Sequence, residues 1–289
     1  QRMRAAGIST QFVLLRTALS QADIVVSNVD ISLNTEIETL KELSRSAKIQ
    51  NKTHKVILMI ELGDLREGIL PVDLSAFIKT TLTMPNIKII GIGTNLACYG
   101  GIKPDDQNMG LLSKLAKSIE DEFQIVLEIV SGGNSANYEW AQSTQKIGRV
   151  NNLRLGESLL LGREPLHRKA IPKLHTNAFR LVAEVIELKK KPSLPFGQMS
   201  QNAFGDIPTF TDKGVQKRAI TALGRQDVLT SGLKSANHLE ILGASSDHII
   251  LDSGNHALRV GSEVYFDLDY GALLSAMTSP FIKKHFIED

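Results

Sequence analysis

The segment SGGNS, residues 131–135, follows an apolar run and precedes a helix-like stretch. Gly132 and Gly133 leave the backbone bare for close approach, and Ser135 offers a hydroxyl where the next helix begins. Amides at a helix start favour an anion such as a phosphate. A tight turn with a serine cap fits the same residues. NLRLGES, residues 152–158, brings a second glycine, Gly156, and places Arg154 between the apolar Leu153 and Leu155. Two glycine-bearing strand-to-helix junctions late in a barrel form a phosphate corner, and together they favour phosphate over the plain turn. ELGDLREG, residues 61–68, sets Arg66 just past a strand, where a guanidinium would suit a carboxylate ligand. Surface pairing with Glu61, Asp64 or Glu67 is the competing reading. GTNLACYGG, residues 93–101, holds Asn95, Tyr99 and the lone cysteine, Cys98, which reads as a small buried hydrophobe. The seven histidines are scattered, His248 reads as structural, and no metal site is expected.

These groups need a scaffold, and the hydrophobic pattern supplies one. Residues 12–16, 30–34, 55–62, 87–93, 124–130 and 152–156 read as strands, mostly apolar without alternation, as when helices cover both faces of a parallel sheet. Thr35 and Glu38 have the spacing of a capping box, and Leu111, Leu112, Leu115, Ala116, Ile119 and Phe123 share one helical face. Beyond about residue 176, strands at 179–188, 216–224, 239–252 and 263–270 are separated by Pro, Gly, Asn and Asp rather than by helices. The expected fold is α/β plus β: a (β/α)8 TIM-type barrel over 1–175 and a mainly antiparallel β domain over 176–289. An open flavodoxin-like sheet is the alternative from pattern alone. The chain opens on what reads as the last turns of a helix, and the first two βα units of the barrel are expected to lie ahead of Gln1.

The 289 residues suffice for one large domain or a large and a small one. A net charge of +2 favours neither nucleic acid nor an anionic membrane as partner. One cysteine excludes an internal disulfide framework and suits a reducing compartment. No apolar run reaches membrane-spanning length and no secretory signal is recognised, so the cytoplasm is the expected setting.

The stretches ELGDLREGI, GIGTNLACYGG, SGGNSANYEW, NNLRLGESLLLGRE, ALGRQDV, ILGASSDHIILD and DYGALLSAMTSP together resemble the fold-type III, alanine racemase-type enzymes, and within them the ornithine racemase branch. The resemblance runs across essentially all of 1–289. It implies pyridoxal 5′-phosphate as cofactor, a small amino-acid substrate, most readily ornithine, and a head-to-tail homodimer. By matched position, Ser135 and the backbone of Gly156 and Glu157 would hold the cofactor phosphate, Arg154 would face the pyridine nitrogen, and Asn95 would lie beside the cofactor. Arg66 would approach the substrate carboxylate, while Ser246 and Asp247 match the loop that enters the neighbouring subunit's site. A cation at the pyridine nitrogen disfavours its protonation and so favours racemisation over transamination.

The sequence departs from that pattern in four places. Arg225 stands where alanine racemases carry the partner-domain tyrosine base, Thr278 replaces a tyrosine near the phosphate, and Asn95 replaces a barrel histidine. The family's Schiff-base lysine lies on the first barrel strand, and no lysine of this sequence matches it; Lys55 and Lys88 stand at the starts of strands rather than at their ends. The expectation is a racemase fragment lacking that lysine, with two-base proton transfer in the intact protein. The alternatives are a non-catalytic vitamin B6-binding protein and an inactive remnant.

Overall fold

The computed structural model describes residues 1–287, so the last two residues of the expected C-terminal domain lie outside the described residues. The chain forms two compact units: Gln1–Leu159 with Arg163–Ile171, and Leu160–Gly162 with Pro172 onward.

The first unit is a parallel sheet with helices in the connections. After α1 (Arg2–Ala5) come β1 (Val13–Leu14), α2 (Ala22–Asn28), β2 (Ile31–Asn34), α3 (Ile37–Ile49) and β3 (His54–Met59). They are followed by α4 (Leu74–Leu82), β4 (Ile87–Gly93), α5 (Asp106–Phe123), β5 (Ile129–Ser131), α6 (Tyr138–Ser143) and α7 (Glu157–Leu161). The strands lie in sequence order, β1-β2-β3-β4-β5, as repeated right-handed βα crossovers produce. One sheet face packs Val56, Leu58, Ile60 and Ile92 against Leu40, Leu43, Ile78, Met109, Leu112 and Ala116 of the helices. The other face carries a smaller cluster of Ile31, Leu33, Ile57, Met59 and Ile90.

Three local expectations need correction. The strand expected at 124–130 begins only at Ile129, because α5 runs to Phe123 and Gln124 stops it in the left-handed conformation at φ 52°. Leu127 N then donates to Glu120 Oε1 of that helix, which ties the segment down before the sheet begins. The strand expected at 152–156 is a single parallel bridge, Ser131 with Asn152. Here side chains take the ladder's place: Asn151 Oδ1 accepts from Val130 N at 2.8 Å, and Ser131 Oγ donates to Asn152 Oδ1 at 2.7 Å. The expected Thr35–Glu38 capping box does not form either; α3 starts behind Glu36 with no side-chain cap.

His54 is buried at the start of β3, with Nε2 2.8 Å from Ser32 Oγ. Burial drives its pKa down to about 4, opposed by nearby Asp30 and reinforced by Lys52. Because the folded value lies below the unfolded one, the stabilisation is complete above about pH 6.5 and is lost as the pH falls through 4. Denaturant titrations from pH 7 to 4 are expected to show wild type losing ~2–3 kcal/mol more than His54→Gln over this window. Equal slopes for the two proteins would remove His54 from the acid response.

The second unit is a six-stranded antiparallel sheet, order β8-β11-β6-β7-β10-β9. Its strands are β6 (Leu181–Pro192), β7 (Val215–Thr221), β8 (Leu233–Ser235), β9 (Glu240–Ala244), β10 (Ile249–Asp252) and β11 (Glu263–Leu268). In β6 the buried Leu181, Ala183 and Val185 alternate with exposed residues, the pattern of a sheet with one solvated face. The single strand expected at 239–252 is a hairpin, turned where Ser245 N donates to His248 O at 2.8 Å. The segment expected to end a strand at 270 instead opens α8 (Tyr270–Thr278), capped by Asp269 Oδ1 on Ala272 N at 2.8 Å.

Candidate functional site

The polar groups of the first unit gather where β3, β4 and β5 end. A methyl on Gly132 would come within 2.7 Å of Asn137 Nδ2 and 2.8 Å of Val150 Cγ1, so only glycine fits there. Asn137 Nδ2 donates to Gly132 O at 2.6 Å, fixing the turn after β5. That turn then holds the next crossing: Arg154 N donates to Gly133 O at 2.8 Å.

Ser135 is buried behind this turn, and its Oγ receives Gly156 N at 3.1 Å, Ser158 N at 3.2 Å and Ser158 Oγ at 3.1 Å. The two amides take the two lone pairs of the Ser135 oxygen, and either serine hydroxyl can donate to the other. The corner thus gathers two main-chain amides and two hydroxyls within hydrogen-bond reach of one another. Beside it, Gly156 faces open space, with no atom within 4 Å of where a Cβ would sit. Glu157 contributes the first residue of α7 here, while its carboxylate pairs with Arg168. Ser158 was not singled out from sequence. The signal was a hydroxyl two positions beyond Gly156, inside the first turn of the following helix.

Arg154 reaches back across the strand ends. Its Nη1 donates to Ser131 Oγ at 2.6 Å and its Nη2 to Thr94 O at 2.9 Å. Burial drives this guanidinium down to about 10, opposed by the attraction of Glu67 and reinforced by the charge of Arg66. A cation held by neutral oxygens at low solvation keeps its donors fixed and its charge poorly compensated.

Asn95 sits between two arginines. In one orientation its Oδ1 accepts from Arg154 Nη2 at 3.4 Å; with the amide turned over, the oxygen instead accepts from both Arg66 terminal nitrogens at 3.3 Å. Arg66 itself is exposed; it pairs with Glu67 in a two-point contact and donates to Cys98 Sγ at 2.7 Å. That pairing holds the Arg66 pKa above its usual range, with Cys98 a smaller contributor. Of the three surface partners weighed from sequence, Glu67 is the one engaged. Cys98 is not the buried hydrophobe expected but an exposed thiol. The main-chain amides of residues 98–100 are bound to buried Asp64, and this lifts the loop's side chains outward.

Asn95, Ser135, Arg154, Gly156, Glu157 and Arg66 thus belong to one unit and cluster at one end of its sheet. Ser246 and Asp247 belong to the second unit, in the β9–β10 turn, where Asp247 Oδ1 lies 2.9 Å from His248 Nδ1 and 3.2 Å from the hydroxyls of Ser245 and Ser246. Arg225 neighbours that turn, its amide donating to Ser245 O at 2.9 Å and its guanidinium stacking on Phe204 at 4.0 Å from the ring centre. Thr278 closes α8, its hydroxyl bonded to Leu274 O at 3.0 Å. Glu139, Glu164 and His167 approach one another in the first unit, but the Glu164 carboxylate is already satisfied by the amides of Leu166, His167 and Lys169.

Residues 1–164 match the family of the alanine racemase N-terminal domain. The chain is 44% identical over 285 residues to the ornithine racemase of Acetoanaerobium sticklandii, covering 97% of this chain and 81% of that protein. It is 37% identical over 287 residues to the lysine racemase of Thermotoga maritima, covering 98% and 80%. Among solved structures, alanine racemase of Clostridium difficile 630 superposes with a TM-score of 0.68 at 19% identity, covering 96% of this chain and 74% of that one. Alanine racemase from Streptomyces lavendulae gives 0.68 at 16%, covering 96% and 75%. These structures share the fold, a parallel α/β sheet unit followed by an antiparallel β unit. The matched domain and the curated relatives, which extend along nearly the whole sequence, place the chain in the alanine racemase family of pyridoxal 5′-phosphate-dependent amino-acid racemases.

Proposed function

We propose that this protein racemises ornithine. The observation that carries the substrate is the 44% identity, over 97% of the chain, to an ornithine racemase. The donor-rich corner supports the cofactor's place. Ser135, Ser158 and the amide of Gly156 fit a phosphate because they bring two amide and two hydroxyl donors to one place. Pyridoxal phosphate, when bound, supplies the electron sink that makes the Cα–H of an amino acid acidic.

The chain's own residues do the rest. Ser135, Gly156 and Ser158, with the backbone of Glu157, would hold the phosphate. Arg154, tied to Thr94 O and Ser131 Oγ, would present a donor to the pyridine nitrogen and disfavour a proton there. Asn95 spaces Arg154 from Arg66. Arg66, already poised on a carboxylate, takes the α-carboxylate of the substrate. Proton transfer on the two faces of Cα needs two bases; the turn of Ser246 and Asp247, which matches the loop entering the neighbouring subunit's site, would approach the substrate within a homodimer. A cytoplasmic setting belongs to the same reading; among the described residues no helix is long and apolar enough to cross a membrane.

The test is exchange at Cα. The product of the complete gene, saturated with pyridoxal phosphate in deuterium oxide, should load deuterium into L-ornithine and release the D-enantiomer, with alanine slower. Faster exchange of alanine than of ornithine would overturn the substrate. No exchange with any amino acid would overturn the activity of this chain's site.

A further inference from the structure

The site is built of cations and donors, yet it opens beside one carboxylate. In the first unit Glu61 accepts from Gly63 N at 2.5 Å, Asp64 is consumed by the amides of residues 98–100, and Glu157 pairs with Arg168. Glu67 differs. Its only ion-pair partner among the described residues is Arg66, a residue of the site itself, and its charge is felt at Arg154 across the strand ends. Both members of the Arg66–Glu67 pair are partly open to solvent, at 41% and 34% of their side-chain surface, so the pair can be remade without burying a bare charge.

A substrate with a single carboxylate and an apolar side chain must compete with Glu67 for Arg66, and leaves Glu67 with no cation in return. A substrate with a second ammonium at the end of its side chain compensates both losses. Its α-carboxylate takes Arg66, and its distal ammonium takes Glu67. From this we propose that Glu67 is the specificity residue of the site, selecting diamino acids by exchanging its partner from Arg66 to the substrate's side-chain ammonium. The inference rests on the reading of the protein as an ornithine racemase and supplies the physical reason for that substrate class, which neither the phosphate corner nor Arg154 provides.

A mere holding role for Glu67 predicts something different. If the carboxylate only orients Arg66, its loss weakens every amino acid alike. If it selects, its loss weakens diamino acids and strengthens a neutral one, because Arg66 no longer has a competitor. The two roles therefore move norvaline, the uncharged analogue of ornithine, in opposite directions.

The experiment measures dissociation constants by calorimetry for ornithine, lysine and norvaline on the complete gene product loaded with pyridoxal phosphate, wild type and Glu67→Gln. The expected result is that ornithine and lysine weaken about tenfold in the variant, as loss of a charge-assisted hydrogen bond gives, while norvaline binds more tightly. A parallel loss for all three ligands, or no change for any, overturns the assignment of Glu67. Wild type binding norvaline as tightly as ornithine would instead defeat the ornithine reading, whatever the variant does. Melting curves of the two proteins should coincide, since the pair is partly exposed and the substitution keeps the side chain's shape.

Discussion

Asp64→Ala is expected to lower the stability of the first unit by about 4 kcal/mol, and its melting temperature by roughly 10 °C. Asp64 has no exposed surface, and its carboxylate accepts from Cys98 N at 3.2 Å, Tyr99 N at 3.0 Å and Gly100 N at 3.1 Å. Alanine would leave three amides without their acceptor, each costing about 1–3 kcal/mol until water enters or the loop moves. The loop also closes on Asp64 through its backbone, Gly100 N donating to Asp64 O at 2.9 Å. It carries Cys98 against Arg66 and follows Asn95, so its loosening should weaken pyridoxal phosphate binding as well. Asp64→Asn, which keeps the volume and one acceptor oxygen, should lose about half as much. Thermal denaturation by circular dichroism checks both variants. An alanine variant melting within about 2 °C of wild type would show that solvent can replace these bonds freely.

Asp64 also marks the limit of what the sequence makes legible. The parallel strands could be read because buried strands covered on both faces are apolar without alternation, as in HKVILM of β3 and IKIIGIG of β4. The same rule misplaces β5, since QIVLE is equally apolar but the preceding helix outlasts its periodic face and holds the segment with Glu120. Asn151 and Asn152 hide the last crossing altogether. They act as ladder partners through their side chains, which no hydrophobic pattern records.

The site divides in the same way. Gly132, Gly133, Ser135, Arg154 and Gly156 stand out because bare backbone, a hydroxyl and a cation in two adjacent turns have a common chemical use. Ser158 gains its meaning only from distances, joining the groups on Ser135, while Asn95 is marked by resemblance alone and acquires a physical role only from its place between Arg66 and Arg154. The exposure of Cys98 is not legible locally because it is decided by Asp64, a residue far away in sequence whose amide contacts turn the loop outward. Short loops held by remote carboxylates are a tertiary property. Local residue types cannot reveal them.

Gly156 gives the sharpest separation of fold from ligand. Its backbone needs no left-handed conformation and a Cβ there would meet nothing within 4 Å, so the fold alone gives no reason for glycine at this position. The neighbouring groups do give one: its amide and the amide and hydroxyl of Ser158 converge on the Ser135 hydroxyl beside that open space. Gly156→Leu is therefore expected to leave the melting temperature of the cofactor-free protein unchanged within about 2 °C. It should nevertheless weaken pyridoxal phosphate about a hundredfold, as loss of two or so phosphate hydrogen bonds implies. Inorganic phosphate, which shares the anionic group but not the ring, should lose affinity in parallel when followed by protection against thermal unfolding. Ser135→Ala is the complementary case. It removes the acceptor of two amides and the partner of the Ser158 hydroxyl, and should destabilise the cofactor-free protein by about 2 kcal/mol, a loss that added phosphate partly restores. If Gly156→Leu destabilises the cofactor-free protein while binding phosphate normally, the open space is packing room, and the phosphate must lie elsewhere on the strand ends.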